Sequence, residues 1–477
     1  MNIPIRRHIV ALTALFAFAA LSLAQQEPLK PSATGQVPPR TWVDKDTGHR
    51  VWRITDEPGS GGFYFNVNAY TPDLKTMIFT APDGIHGLDL ATKKTWLIVP
   101  NPTRTEGENN PRLGGVHAIV AGHKTNSVFF SKADPATHVV TLYKADVYTK
   151  QVTKLCDLPK GMSVATINAD ETLGAGTMND NPDDSRAYGR NSVTPSGQSG
   201  PHVQPLNKGQ MMEQRLAAKI PITLYTIELN TGKLHPLIQH STDWINHLLF
   251  SPSDPTLLMY CHEGPWQKVD RIWMIHTDAT HNTLIHKRRI ANEIAGHEFW
   301  GLDGKTIWYD WQPIKGEDFY LAGYDLASGK RTAFHMDRNA WSIHFNLTKD
   351  LDIFCGDGGD PGQVAKAPDG EWIELFHPKL QGTVGSLNDP DFFQPGVFHE
   401  EHLVNMAWHD YHQEPNVRFS PDKKMVFFTS NMFGPAYVIG VEVAKAENPK
   451  ADEVVSTPEL AKKYNPREPV DTHAIAK

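Results

Sequence analysis

Cysteine is nearly absent: three residues in 477, Cys156, Cys261 and Cys355. An odd, widely scattered set excludes a disulfide framework. Each falls in a segment that reads as a strand, so all three are expected to be buried thiols. Basic runs are equally scarce. The longest is Lys287-Arg288-Arg289 in a chain of net charge −8, which excludes nucleic acid as a partner. Past Ala24 no apolar stretch is long enough to span a bilayer, so the mature form should carry no membrane span.

What is present begins with a leader. Arg6 and Arg7 precede an apolar stretch from Ile9 to Leu21, and Ser22-Leu23-Ala24 offers a small-x-small cleavage site. Residues 1–24 read as a cleaved signal peptide, which implies a periplasmic or secreted protein. Residues 25–40 are expected to be a disordered lead-in. From residue 41 to 445 one unit recurs: strand, turn, strand, a third strand, a turn at Thr/Ser-Gly, and a fourth strand. Thr71-Pro72-Asp73, Ser251-Pro252-Ser253-Asp254 and Ser420-Pro421-Asp422 mark the first turn; Thr231-Gly232 and Ser328-Gly329 mark the later one.

Four short antiparallel strands make one propeller blade, and the copies predict an all-β, seven-bladed β-propeller. The last copy stops after its third strand, Tyr437 to Val443. The orphan segment Asp46 to Ile54 supplies the missing strand. The N-terminus is therefore expected to complete the last blade and leave no open sheet edge. Long gaps at 176–220 and 378–410 are expected to hold insertions, and 446–477 a C-terminal tail.

The copies align on Val67, His117, Val164, His247, His297, His344 and Asn416, spaced by 50, 47, 83, 50, 47 and 72 residues. The first strand of a blade runs along the central channel, so residues at one phase approach one axis. Side chains alternate along a strand, which puts Glu414 on the same side as Asn416. One such histidine alone reads as a hydrogen-bonded filler. Four at one phase, with a carboxylate and an amide oxygen, make an ordinary ligand mix for a divalent cation. With no thiolate among them, Mn²⁺, Zn²⁺ or Ca²⁺ is expected. Cys261-His262-Glu263-Gly264-Pro265-Trp266 borders the same channel, and Arg271 follows. The run Trp408 to Asn416, containing His409 and His412, offers more donors than a connection needs. Gly356-Asp357-Gly358-Gly359-Asp360 lacks the acidic spacing of a calcium site and reads as a loop.

The strings Cys261-His262-Glu263-Gly264-Pro265 and Gly296-His297-Glu298-Phe299-Trp300, together with His247 and Glu414-Pro415-Asn416, resemble the oligogalacturonate lyase family over most of residues 45–443. The resemblance implies a seven-bladed propeller, a central divalent metal that is typically manganese, and β-elimination of short uronate chains. It implies that His297 is a metal ligand and His247 the catalytic base. The family's other ligands lie in a Gln-x-x-His-x-His run opening the last blade. Here Tyr411 stands at the glutamine, and Glu414 and Asn416 stand at the two histidines. The exchange makes the site richer in oxygen, which favours Mn²⁺ or Ca²⁺.

β-Elimination removes the proton α to a carboxylate and expels the glycosidic oxygen. A cation on the carboxylate stabilises the developing charge, and a histidine takes the proton. The expected cast is a metal on His297, Glu414 and Asn416 with His344, and His247 as base. Arg215 or Arg271 clamps the carboxylate, and His262, Glu263 and His409 border the sugar. The implied partner is an acidic oligosaccharide. Two other readings stay open on the residues alone: a non-catalytic sugar-binding or scaffolding propeller, and a hydrolase whose metal activates water. A lid on a serine peptidase is excluded, because no Gly-x-Ser-x-Gly elbow is present.

Overall fold

The computed structural model describes residues 32–102, 115–180, 207–359, 371–382 and 392–466; the expected signal peptide lies outside them. Among the described residues there are twenty-nine strands and two α-helices, Lys208–Ala218 and Thr457–Tyr464. No helix among them is long and apolar enough to cross a membrane.

The strands form small antiparallel sheets that follow chain order. Three are four-stranded meanders, running from Val116–Ala121 to Val152–Asp157, from Thr166–Ile167 to Leu234–Ser241, and from Trp244–Phe250 to Thr283–Leu284. An eight-stranded sheet divides into two more meanders, Ile294–Trp300 to Arg331–His335 and Phe345–Leu347 to Phe393–Asn405. They are joined where Arg331–His335 pairs in parallel with Phe393–Asn405. The three-stranded sheet Thr76–Ala81 to Thr95–Pro100 gains an inner segment through the bridges Gly61↔Thr80 and Tyr70↔Met77.

Local chemistry sets the turns. Asp89, Asp146 and Asp325 each accept a hydrogen bond from the backbone three residues on, at Thr92, Thr149 and Ser328. The next residues, Lys93, Lys150 and Gly329, take φ of 58°, 62° and 67°. An Asp side chain that mimics the backbone, followed by one left-handed residue, reverses the chain between the third and fourth strands. The three cysteines are free and buried, as their scatter predicted.

The last sheet joins both ends of the chain. Behind Arg418–Phe419, Met425–Ser430 and Tyr437–Lys445 lies the N-terminal strand His49–Arg53, with Val51 opposite Val441 and Trp52 opposite Gly440. Three expectations need correcting around it. Residues 32–40 are not a structureless lead-in: Ala33 donates to the Phe433 carbonyl at 3.2 Å, and Pro38 accepts from Arg53 Nε at 3.3 Å. Residues 446–466 are more than a tail. Val454–Val455 pairs in parallel with Thr41–Asp44, and the helix Thr457–Tyr464 buries Leu460 and Ala461. The gap at 378–410 contains a long strand, Phe393–Asn405, whose hydrogen bonds are shared between two neighbours. In each case backbone groups that would need water find partners on the sheet.

Trp42 ties these pieces together. It is buried, and its indole donates to Thr457 Oγ1 at 2.9 Å, which in turn donates to Asp44 Oδ2 at 2.7 Å. Trp42→Ala should therefore cost about 3–5 kcal/mol of unfolding free energy. Removing residues 32–53 should abolish the cooperative transition, followed by circular dichroism in urea.

Candidate active site

Two strands share an irregularity. In Trp244–Phe250 the pairing slips between Asn246 and Leu249, and in Ile294–Trp300 between Gly296 and Phe299. His247 and His297 sit in these bulges with φ of 48° and 46°; Asn416, at the same phase of the last copy, has φ of 58°. Left-handed backbone is uncommon for residues other than glycine, and a bulge re-aims a side chain. Here the bulges turn both imidazoles into one central cavity. Gly296 is required beside them: a Cβ there would lie 2.8 Å from the Trp266 ring and 3.2 Å from Arg271 Nε.

The cavity measures ≈ 40 Å³, and its walls include Tyr64, His247, Glu263, Arg271, His297, Glu298 and Glu414. A groove of ≈ 830 Å³ shares Lys208, Trp266, His297 and Glu414 with it.

Three hydrogen-bonded chains reach the cavity. In the first, His247 Nε2 lies 3.0 Å from Glu263 Oε2, and Glu263 Oε1 accepts from Arg271 Nη1 at 2.6 Å. Burial alone would raise the Glu263 pKa; the His247 hydrogen bond and the Arg271 charge reverse this and hold it well below the carboxylate range. Arg271 also stacks over Trp266 at 4.4 Å. In the second chain, His297 Nδ1 lies 3.0 Å from Asp310 Oδ2. Burial, reinforced by His344 and Arg271, holds His297 far below its usual pKa, and burial pushes Asp310 up to about 8. In the third, His344 Nδ1 lies 2.7 Å from Asp357 Oδ2 and its Nε2 is 3.1 Å from the Tyr64 hydroxyl. Burial and then the Glu414 charge raise the Tyr64 pKa, so the phenol keeps its proton. The His297 and His344 rings are 5.0 Å apart. Among the described residues, Glu298 Oε2, Arg271 Nε and Asp310 Oδ1 are buried with no hydrogen-bond partner.

Of the residues singled out in the sequence, His247, Glu263, Arg271, His297 and Glu414 line the cavity, and His344 packs against His297 and Tyr64. Others stand elsewhere. Asn416 commits its amide: Oδ1 accepts from Phe65 N at 3.0 Å, and Nδ2 donates to the Glu414 carbonyl at 2.9 Å. Arg215, on the helix Lys208–Ala218, stacks over Trp244 at 4.3 Å and does not line the cavity. His262 faces away from Glu263, packing on Trp273 at 4.8 Å, because neighbours on a strand point to opposite faces. His409 is buried between Ser430 Oγ and the Gln413 carbonyl. His117 is exposed on its strand and does not line the cavity.

Sequence reasoning missed Tyr64, Lys208, Glu298, Asp310 and Asp357 as site residues. Asp310 and Asp357 carried a signal: each stands 13 residues beyond its histidine. That interval runs down one strand, round the turn and back up the next. Asp357 lies in the glycine-rich stretch read above as a plain loop.

A family profile described as oligogalacturonate lyase matches residues 40–446. The oligogalacturonide lyase of Pectobacterium atrosepticum is 24% identical over 411 residues, covering 83% of this chain and 93% of that protein. The oligogalacturonate lyase of Dickeya dadantii is 23% identical over 414 residues, covering 83% and 93%. Among solved structures, an oligogalacturonate lyase from Vibrio parahaemolyticus superposes with a TM-score of 0.61 at 20% identity, covering 85% of this chain and 96% of its own. An oligogalacturonate lyase in complex with manganese gives 0.58 at 20% identity, with the same coverage. These two likenesses show a shared fold. With the profile running from Arg40 to Ala446, through every sheet described above, the chain belongs to the oligogalacturonate lyase family.

Proposed function

We propose that this protein is a metal-dependent lyase that cleaves short oligogalacturonate-like chains by β-elimination. One observation carries the reading: His247 has its Nε2 committed to the ionised Glu263, so Nδ1 is the nitrogen left to take a proton. Arg271 holds Glu263 from the other side, so the carboxylate that orients the imidazole is itself fixed in place.

His247 Nδ1 takes the proton α to the uronate carboxylate. The electron pair moves toward the carboxylate, then returns to form the carbon–carbon double bond as the glycosidic C–O bond breaks. Tyr64, kept protonated, hands its proton to the departing oxygen. Lys208 faces the developing carboxylate charge.

The residues present fit a divalent cation. His297, Glu298 and Glu414 line the cavity, and His344 Nε2 lies 3.9 Å from Glu414 Oε2. Burial keeps His297 neutral, the ligating form. Among the described residues no three His, Cys, Asp or Glu side chains already stand around one point. The donors would be His297 and Glu414 rather than Asn416, with His344 Nε2 joining them once it gives up the Tyr64 hydroxyl, and nitrogen with carboxylate oxygen suits Mn²⁺. Bound there, the cation would supply Lewis-acid stabilisation of the carboxylate.

The fold supports a seven-bladed β-propeller: among the described residues the meanders number seven once the eight-stranded sheet is divided, and His49–Arg53 pairs as the outer strand of the last. The leader-like residues 1–24 support export to the periplasm or beyond.

The test is incubation with trigalacturonate and absorbance of the unsaturated product; a saturated product would overturn the reading. His247→Ala should lower kcat by about 10²–10⁴-fold with the unfolding transition unchanged. Dialysis against a chelator should remove activity, and Mn²⁺ should restore it. Glu263→Gln leaves Arg271 buried without its hydrogen-bonded counter-charge and should cost about 3–5 kcal/mol near neutral pH. Because the folded Glu263 pKa is depressed, this contribution is full above the ordinary carboxylate range. It should vanish as pH falls through the depressed value, so urea midpoints of the two proteins should converge in acid.

A further inference from the structure

Resting on the lyase reading, we propose that the groove beneath the helix Lys208–Ala218 holds the sugar chain. In it, Lys315 binds the carboxylate of a second uronate, next to the one that reacts. The first argument is size. The inner cavity, at ≈ 40 Å³, has room for a cation and its water but not for a sugar ring. The adjoining groove, at ≈ 830 Å³, is within the range that buries a whole small ligand. A substrate that presents its reacting carbon to His247 must lay its remaining residues there.

The second argument is charge. Among the described residues that line the two spaces, Arg271 is held by Glu263, Glu213 is matched by Lys268 at 2.8 Å, and Glu298 and Glu414 line the inner cavity where the cation would sit. Lys208 and Lys315 line them with no carboxylate partner. Lys208 borders both spaces, whereas Lys315 borders the groove alone. They come from different elements: Lys208 from the helix, and Lys315 from the loop between Thr306–Gln312 and Tyr320–Asp325. That loop is built to present it. Gln312 Oε1 accepts from Gly316 N at 2.8 Å, Gly316 has φ of 85°, and Glu317 N donates to the Ile314 carbonyl at 3.0 Å. Two cations at separate stations suit a ligand whose carboxylates recur from residue to residue.

The third argument is the rest of the wall. Gln210, Gln214, Gln267 and Trp266 supply amides and an aromatic surface, the groups that recognise sugar hydroxyls and ring faces. The helix is held over the groove by buried Met211 and Met212 and by Arg215 on Trp244, so its side of the groove is preformed.

The experiment is calorimetric titration in Mn²⁺ of the His247→Ala protein, which binds without turning over. Trigalacturonate, monomeric galacturonate and a neutral trisaccharide are the ligands. Adding Lys315→Gln should weaken trigalacturonate about fivefold and leave the monomer unchanged. Lys315→Arg should restore the trimer. Trimer affinity indifferent to Lys315→Gln, equal weakening of monomer and trimer, a neutral trisaccharide that binds as well as the acidic one, or no binding would each overturn the proposal. If the Lys315 effect is found while the unaltered protein forms no unsaturated product, the groove assignment stands and the lyase reading alone fails.

Discussion

One buried carboxylate organises the centre of this molecule. Glu263 sits between His247 and Arg271 with almost no access to water. An isolated anion there would cost several kcal/mol, so its two partners are obligatory. Arg271 in turn needs a stacking surface, which Trp266 provides, and Trp266 needs the space that only a glycine at 296 leaves. Thus the position of one charge constrains three separate segments, and through Gly296 it reaches the bulge that aims His297.

The bulges follow the same logic. A regular strand would place His247 and His297 on the pleat, facing a neighbouring sheet. A left-handed residue and a slipped register turn them into the cavity instead. Such backbone persists where the surroundings over-determine it. Asp310 behind His297 and Glu263 behind His247 supply that determination through hydrogen bonds of 3.0 Å each. His344 reaches the site differently: Asp357 holds both its backbone N–H and its Nδ1. Each ring is thereby fixed in orientation and tautomer by an acid behind it, the arrangement that metal-binding and proton-transfer histidines both require.

Much of the fold was legible because it is encoded locally. Asp-x-x-Thr/Ser turns, as at Asp89, Asp146 and Asp325, and the Ser-Pro-Asp turn at Ser420 set strand ends through hydrogen bonds within a few residues. The pairing of His49–Arg53 with the last sheet was also readable, since one copy lacked a strand and the N-terminus had one to spare. Residues 32–40 and 446–466 were misjudged because polar, proline-rich composition does not reveal that a finished sheet edge will bind them. The site was legible in part. His247, His297 and His344 converge, whereas His117 keeps the phase but stays exposed on its strand, and Asn416 spends its amide on Phe65 and Glu414.

By itself the sequence determined the recurring unit, its turn chemistry and the phase of the histidines, because each depends on residues close together in the chain. Tertiary structure alone decided which polar groups meet. His262 and Glu263 are adjacent, yet one packs on Trp273 and the other enters the cavity, since strand neighbours face opposite ways. Arg215 and Arg271 were both candidates on paper, Arg215 the weaker because it lies in the insertion before its copy. Packing put the first over Trp244 and the second beside Glu263, and no local pattern distinguishes those two fates.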